Sequence, residues 1–380
     1  MTKKLGSCLG LILGLASLLL FCAAPQVPTQ TPQTIPEIKI GVLVPKTGEF
    51  SSAGVVMENA AKLAEKHARE MGYNIKIIIH DCGDKPEMTK TAFLSLVKEG
   101  VVAIVGTYSS PQAMMAADIA NESKVVFMAS VASADLEGKV KGGNRYVFRN
   151  AYNTSYWGIL AVEFLEITGA KSYYLVGYEP LKTFNLGMFG IIKNLTKAEL
   201  RGESWVKSPS VSPEDYKRVA RELAKIDVEV IVLGDPGLGG VDFVREYRLA
   251  GGNATIYSVG GMLALPDLLK ELNVSGIAFQ AAALELKAKT NLTKKYFEDY
   301  RKDYGKEANN YAGILTYDAI LIVAQAAAKG EDLVSELEKG TFIGAAGIYE
   351  FNENHQAKWG TEKLRGTIGI FKDGKIEVIS

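Results

Sequence analysis

Three serines follow apolar segments of the sequence at points where a carboxylate could be held. Ser109 and Ser110 come shortly after VVAIVG, and Ser133 comes after VVFMAS. Each apolar segment is typical of a buried strand, and each serine site is predicted to begin a helix. A helix start presents unpaired N–H groups with partial positive charge, and a serine hydroxyl adds a donor, so both sites suit a carboxylate. The alternative is a plain N-cap, for which serine is also favoured.

A second chemically capable segment is HDCGD, which contains His80, Asp81 and Cys82. These side chains could supply a nucleophile or a metal ligand, but an ordinary buried cysteine is the favoured interpretation. The chain has three histidines and three cysteines, and they do not cluster at the spacings of zinc or haem sites. We predict neither a metal nor a cofactor.

The serines need a scaffold that brings strand ends together, and the repeating pattern of the chain predicts one. IKIGVLV (38–44) has the pattern of a buried strand, and apolar residues then recur at helical spacing. Similar β-α steps follow, and a second series begins after Asn150. The pattern predicts an α/β protein with parallel sheets covered on both faces, built twice along the chain. The carboxyl ends of such strands form a crevice, which would contain the serines.

The last part of the chain has a different pattern. Long helices are predicted around 292–304 and 311–328, followed by a β-rich tail in which Asp373-Gly374 signals a hairpin. Too few strands remain for a third parallel sheet. We therefore predict that these helices complete the first lobe and that the tail completes the second.

Composition limits the class of partner. With 380 residues, of which 47% are hydrophobic, the chain is long enough for two packed lobes. Its 43 Lys and Arg balance 43 Asp and Glu. No bulk charge therefore attracts the chain to nucleic acid, which is not expected as a partner.

Four segments, taken in order, resemble those of a known family. They are IKIGVLVPKTGEFSSAG, HDCGDKPEMTKTAFLSLVKEGVVAIVGTYSS, VFMASVASADL and YVFRN. The chain resembles the leucine/isoleucine/valine-binding protein family over nearly all of residues 37–380. Members of that family are type I periplasmic solute-binding proteins that deliver ligand to an ABC importer.

The resemblance implies the type I periplasmic-binding-protein fold, in which two doubly wound, Rossmann-like lobes enclose a ligand cleft. Three crossovers would join the lobes, and the cleft would close on binding. Lobe one would comprise 37–151 plus 283–343, and lobe two would comprise 152–282 plus 344–380.

The resemblance also implies roles for single residues. The hydroxyls of Ser110 and Ser133 and the backbone of Val131 would hold the carboxylate of the ligand. Phe184 would form an aromatic wall from lobe two, or else pack in the core. The remaining candidates for the cleft are Ser109, Tyr108, Tyr152 and Trp157, although aromatic residues such as these three more often belong to the core.

One position departs from the family pattern. Amino-acid-binding members carry an acidic residue after the strand that matches TIYSV, where this chain has Gly260 or Gly261. Burying an ammonium group without a counter-charge is costly. Either Asp235 substitutes for the missing acid, or the ligand has no ammonium group. Asp235 could instead make an Asp-Pro turn.

The N-terminus carries a targeting signal. Lys3 and Lys4 precede an apolar segment, so that 1–24 is predicted as a signal, lipoprotein or anchor segment. Residues 25–36 read PQVPTQTPQTIP and are predicted as a tether of roughly 35 to 40 Å, at about 3.1 Å per residue. Cys22 resembles the lipid-modified cysteine of binding lipoproteins, although Phe21 stands where a small residue is usual.

The alternatives to lipidation are an uncleaved anchor and a plain secretory signal. All three place the rest of the chain outside the cell membrane, and six Asn-x-Ser/Thr sequons add support for export. We predict a protein tethered to the outer face of the cytoplasmic membrane.

Together these observations predict a solute-binding protein of an ABC importer. Its partners would be an amino acid or related small carboxylate and a transporter permease, and it would be a monomer. A Rossmann-like enzyme is the rival class, but no G-x-G-x-x-G turn, Walker A loop or G-x-S-x-G elbow is present. A ligand-sensing receptor subunit is the other alternative, although no hydrophobic span follows residue 40.

Overall fold

The computed structural model describes residues 36–133, 135–208, 211–234, 238–259, 271, 274–308, 311–330 and 332–380. Within these residues, no helix is both long enough and apolar enough to cross a membrane. The predicted signal segment and nearly all of the tether, together with Cys22, lie outside the described residues, as do Asp235, Gly260 and Gly261.

The first lobe is built on a five-stranded parallel sheet. Its strands are β1 Ile38–Val44, β2 Ile75–Asp81, β3 Ala103–Gly106, β4 Val126–Ala129 and β5 Val147–Arg149. The helices between them are α1 Ser51–Glu70, α2 Pro86–Lys98, α3 Ser110–Ser123 and α4 Leu136–Lys141. The strand order is β2-β1-β3-β4-β5.

The second lobe contains a seven-stranded sheet. Its parallel part and helices run α5 Thr154–Thr168, β6 Ser172–Tyr178, α6 Lys182–Leu195, β7 Glu199–Val206, α7 Asp215–Leu223, β8 Val230–Leu233, α8 Leu238–Leu249, β9 Thr255–Ser258 and β10 Ile277–Ala281. Two antiparallel strands, β13 Thr367–Lys372 and β14 Lys375–Val378, complete the order β14-β13-β10-β9-β8-β6-β7. The predicted α/β fold of two Rossmann-like lobes is confirmed.

The elements between β10 and β13 belong with the first lobe. They are α9 Asn291–Tyr304, α10 Ala312–Ala327, α11 Leu333–Lys339, β11 Phe342–Ile343 and β12 Ile348–Tyr349. Helix α10 is apolar on nearly all sides and packs against α1 and the first sheet, which explains why almost its whole length is buried. The one buried carboxylate of this helix, Asp318, accepts hydrogen bonds from the N–H groups of Ala345 and Ala346 and from the Tyr349 hydroxyl, at 2.5, 2.8 and 2.8 Å.

The predicted hairpin at Asp373-Gly374 is confirmed. Lys372 pairs with Lys375 across a two-residue turn, and both turn residues have positive φ, at 50° and 79°. That geometry is the type I′ turn, which favours Asp-Gly because glycine has no Cβ to strain.

The chain passes between the lobes after β5, after β10 and before β13, and hydrogen bonds tie these passages together. The Tyr152 hydroxyl in the first passage donates to the carbonyl oxygen of Ala281 at 2.8 Å. The Lys289 ammonium in the second donates to the carbonyl oxygens of Ala282, at 3.1 Å, and of Arg365 in the third. Burial lowers the pKa of Lys289 to about 8.

The division of the chain into lobes by residue number stays a prediction. That division assigns residues 344–380 to lobe two, but Gln356 forms a parallel bridge with Arg149 at the edge of the first sheet. The neighbouring backbone bonds, from Arg149 N to His355 O and from Ala357 N to Arg149 O, continue this pairing. Residues 355–357 therefore extend the first sheet rather than the second.

Candidate functional site

A pocket lies where the two lobes meet, and it is lined mainly by residues that follow the carboxyl ends of strands. The residues come from the ends of β3, β4, β6 and β9 and from the start of α10 and α5. The pocket has a cavity volume of about 60 Å³. The lining residues are Tyr108, Ser109, Ser110, Val131, Ser133, Trp157, Leu181, Phe184, Val259, Tyr311 and Ala312.

The loop before α3 is fixed by the buried side chain of Gln112. Its Oε1 accepts from the N–H and the hydroxyl of Ser109, at 3.2 and 3.0 Å. Its Nε2 donates to the carbonyl oxygens of Cys82 and Gly83, at 3.1 and 2.8 Å. Ser109 and Gln112 together form a capping box, which explains why α3 begins here. The Ser109 hydroxyl is therefore held by Gln112, although Ser109 lines the pocket.

Ser110 differs from its neighbour in how its polar groups are used. It is the first residue of α3, and Pro111 follows it with no N–H to offer. Within the described part of the chain, neither the N–H nor the hydroxyl of Ser110 has a hydrogen-bond partner. Ser110 therefore places two donors without a described partner, and the partial positive charge of a 14-residue helix start, at the lining of the pocket.

The short helix predicted after Ser133 is present as α4, but Ser133 itself does not begin it. Helix α4 begins at Leu136, and its N-cap is Asp135, whose side chain accepts from the N–H of Gly138. Ser133 lies in the preceding loop, where its hydroxyl oxygen accepts from the indole N–H of Trp157 at 2.8 Å. An aspartate caps a helix at least as well as a serine, and the pattern VASADL contains both. Ser133 therefore lines the pocket from a loop.

The Val131 carbonyl is also fixed, by the hydroxyl of Tyr311 at 3.3 Å. Burial raises the pKa of Tyr311 well above its ordinary value, so its hydroxyl stays protonated and donates. Tyr311 is 3% exposed and lies directly before α10.

Aromatic rings from both lobes enclose the pocket. Phe184 on α6 lies with its ring edge-to-face against Trp157, with centroids 5.9 Å apart. Trp157 also packs on Tyr311, at 4.5 Å. Tyr108 from the first lobe also lines the pocket and packs against Phe50, with ring centroids 4.9 Å apart. Aromatic pairs of this geometry contribute stabilising free energy in addition to that of burying their apolar area. The rings therefore form a defined wall.

Tyr152 is the one described candidate that the structure leaves outside the pocket lining. It is fully buried behind Trp157, with ring centroids 5.0 Å apart, and its hydroxyl is bonded to Ala281. Its position is that of a core residue in the passage between lobes. Asp235, the other candidate absent from the lining, lies outside the described residues.

Sequence reasoning missed four lining residues, Leu181, Val259, Tyr311 and Ala312. Val259 directly follows β9, so the rule that strand ends face the crevice could have found it. Tyr311 and Ala312 lie at the start of the apolar helix α10, which had been assigned only a packing role.

The pocket opens outward into a wider cleft that contains charged side chains. The two spaces share Ser110, Ser133, Leu181 and Phe184. The outer cleft adds Asp135, Glu179 and Lys182, all of them exposed. Solvent therefore reaches the charges of this region.

A hydrogen bond from Tyr178 also joins the lobes across the cleft. The hydroxyl of Tyr178, at the end of β6, donates to a carboxylate oxygen of Glu49 in the loop before α1. That loop is held by Asp81, whose carboxylate accepts from the N–H groups of Lys46 and Thr47, at 2.9 and 3.3 Å.

The HDCGD segment does not form a reactive site. His80 pairs with Glu99 at 2.9 Å, Asp81 binds backbone groups, and Cys82 is fully buried beside Gln112. Burial raises the pKa of the Cys82 thiol to about 12. No group of three or more potential metal ligands occurs among the described residues.

Two sheets whose parallel strands end at a shared pocket define a two-lobed binding protein. The sequence model of the family described as "Periplasmic binding protein" matches residues 37–360. The chain therefore belongs to the periplasmic binding protein family. The family consists of extracytoplasmic substrate-binding proteins of ABC transporters rather than enzymes, and the predicted resemblance is confirmed.

Solved structures establish the same fold. The chain is similar to the branched-chain amino acid binding protein LivJ of Streptococcus pneumoniae, in complex with isoleucine, with TM-score 0.78, 20% identity and coverage of 90% of this chain and 98% of that chain. The chain is also similar to the leucine-binding protein LivK of Thermotoga maritima, with a TM-score of 0.74 and 21% identity. That match covers 90% of this chain and 97% of the LivK chain. A third similar structure is an R. palustris solute-binding protein in complex with benzoate, with a TM-score of 0.74 and 16% identity. That match covers 90% of this chain and 95% of that chain. No curated protein sequence matches the chain.

The buried Cys82 thiol is expected to resist alkylation. At pH 8 a thiol with a pKa of about 12 is ionised about 1,000-fold less than a free cysteine. Iodoacetamide should therefore label Cys82 about 1,000-fold more slowly in the native protein than in urea. Mass spectrometry of the Cys82 peptide measures this rate, and similar rates in both conditions would contradict the burial.

Proposed function

We propose that this chain is the solute-binding component of an ABC importer and that it carries an amino acid or a related small carboxylate. The observation that carries the proposal is Ser110, which lines the pocket at the positive end of α3 and whose N–H and hydroxyl have no partner among the described residues. Isoleucine and benzoate, the ligands in two similar structures, share a carboxylate and little else. A carboxylate site on the first lobe is the feature that both ligand types would use.

Binding would proceed by closure of the two lobes. Ser110 and Ser133 belong to the first lobe, whereas Leu181 and Phe184 reach the pocket from the second. A ligand held first by the serines gains contacts with the second lobe only when the cleft is closed. The ligand therefore shifts the equilibrium toward the closed form in proportion to those extra contacts.

Replacing Ser110 by alanine is expected to weaken carboxylate binding about 10- to 100-fold, because a hydrogen bond to a charged group contributes about 1.5 to 3 kcal/mol. Ser133→Ala should also weaken binding and loosen Trp157, whose indole it accepts. Titration calorimetry measures both effects. Ser123→Ala is the matched control, since Ser123 lies at the far end of α3 and bonds only to the Ile119 carbonyl. Unchanged affinity in both the Ser110→Ala and the Ser133→Ala variants would rule out the proposed carboxylate site.

Closure is expected to depend on the hydrogen bond between Tyr178 and Glu49. Tyr178→Phe should raise the Kd about 2- to 10-fold, since a typical hydrogen bond contributes about 0.5 to 1.5 kcal/mol and the open form becomes more populated. Small-angle scattering of the ligand-free variant should show a larger radius of gyration. Tyr174→Phe is the control, because Tyr174 on the same strand bonds to Ser204 within the second lobe, at 2.9 Å. Equal effects of the two variants would argue against a closing role.

We also propose that the protein is tethered to the outer face of the cytoplasmic membrane through lipid on Cys22 and that it acts as a monomer on a transporter permease. The signal-like segment before Cys22 and the proline-rich segment after it support the tether. Mass spectrometry of membrane-extracted protein should find Cys22 modified at the mature N-terminus. A mature peptide that spans Phe21 and Cys22 would identify an uncleaved anchor instead.

A further inference from the structure

The polar ends of two aromatic residues in the pocket are bound to the protein itself. The indole N–H of Trp157 donates to Ser133 Oγ at 2.8 Å, and the hydroxyl of Tyr311 donates to the Val131 carbonyl at 3.3 Å. Phe184 has no polar end. The rings therefore offer the pocket their apolar faces and edges, and a ligand in contact with them gains most by being apolar there.

Charge is distributed unevenly between the inner pocket and the outer cleft. None of the eleven described residues that line the inner pocket carries a charged side chain. The charged residues Asp135, Glu179 and Lys182 line the outer cleft, where they are exposed to solvent. An ammonium group beside the ring wall would lose its hydration without gaining a counter-charge from these residues, which is unfavourable.

Polar groups are few in the described lining of the inner pocket. Ser110 supplies an N–H, a hydroxyl and the positive end of α3, and Ser133, like Ser110, lines both the inner pocket and the outer cleft. The rest of the described lining, from Tyr108 to Ala312, is aromatic or aliphatic apart from the hydroxyls of the two tyrosines and of Ser109. The described lining is therefore complementary to a molecule with an anionic group and an apolar body.

We propose that the preferred ligand is an aromatic monocarboxylate without an α-ammonium group. This inference rests on the proposed function and narrows its ligand class. The carboxylate binds at Ser110, and the ring of the ligand packs between Phe184 of the second lobe and the side of the pocket formed by Tyr108. Closure brings Phe184 onto the ring, so the aromatic body also determines how strongly the ligand favours the closed form.

Two pairs of probes that differ only in the α-ammonium group test the ligand class by titration calorimetry of the purified full chain. They are 3-phenylpropanoate against phenylalanine, and 4-methylpentanoate against leucine. We expect each deaminated acid to bind at least about 100-fold more tightly than its amino acid, and 3-phenylpropanoate to bind most tightly of the four. Tighter binding of phenylalanine and leucine than of their deaminated partners would overturn the inference. If Asp235→Asn then abolished that preference, Asp235 would be the ammonium partner.

A pair of variants on α6 tests the aromatic wall separately. Phe184→Ala should weaken the binding of 3-phenylpropanoate at least about 10-fold and should weaken the binding of 4-methylpentanoate less. Leu186→Ala, on the same helix but 49% exposed, should change neither affinity. Equal losses for the two acids in Phe184→Ala would overturn the aromatic preference while leaving a carboxylate site in place. The proposed function fails in a different way, namely if no carboxylate or amino acid binds and Ser110→Ala changes nothing.

Discussion

Parallel pairing is the constraint on which the arrangement of the whole molecule depends. A strand that pairs in parallel with its predecessor cannot return by a tight turn, so the chain must cross back through a helix and begin again at the same edge. All the strand ends of one sheet then lie at one edge, and the loops that follow β3 and β4 meet there. The first sheet and the parallel part of the second obey this rule, and residues after their strands line a single pocket. The site is therefore a consequence of topology before it is a consequence of any particular side chain.

The second determinant is how completely the polar groups near the pocket are satisfied. A buried amide costs free energy unless its donors and acceptors are paired, and Gln112 pairs both ends of its side chain. Trp157 and Tyr311 are likewise bonded to the loop after β4. These bonds stiffen the loops and leave the polar groups of Ser110 available. A binding site with few remaining polar groups gains selectivity, because each of them must be matched by the ligand.

Much of this could be predicted from the sequence, and the failures have physical causes. Buried strands such as β1 and β8 were recognised because continuous β-branched segments reflect burial on both faces. Strand β7 was missed, since it lies at the sheet edge, is largely exposed and reads ELRGESWV with no apolar run. The serine at position 133 was placed at a helix start because a local pattern cannot decide between Ser133 and Asp135 as a cap. Tyr311 was missed because its contact with Val131 spans 180 positions of sequence.

The hydrogen bond between Trp157 and Ser133 has a consequence for how the protein can be observed. Trp157 is one of three tryptophans in the chain, and it is the one whose ring lines the pocket. The emission wavelength of an indole depends on the polarity around it and on the partner of its N–H. A ligand in the pocket would contact this ring and so change the polarity around it. The molecule therefore contains an intrinsic optical reporter of occupancy, and the other two tryptophans, Trp205 and Trp359, supply a background that the pocket does not touch.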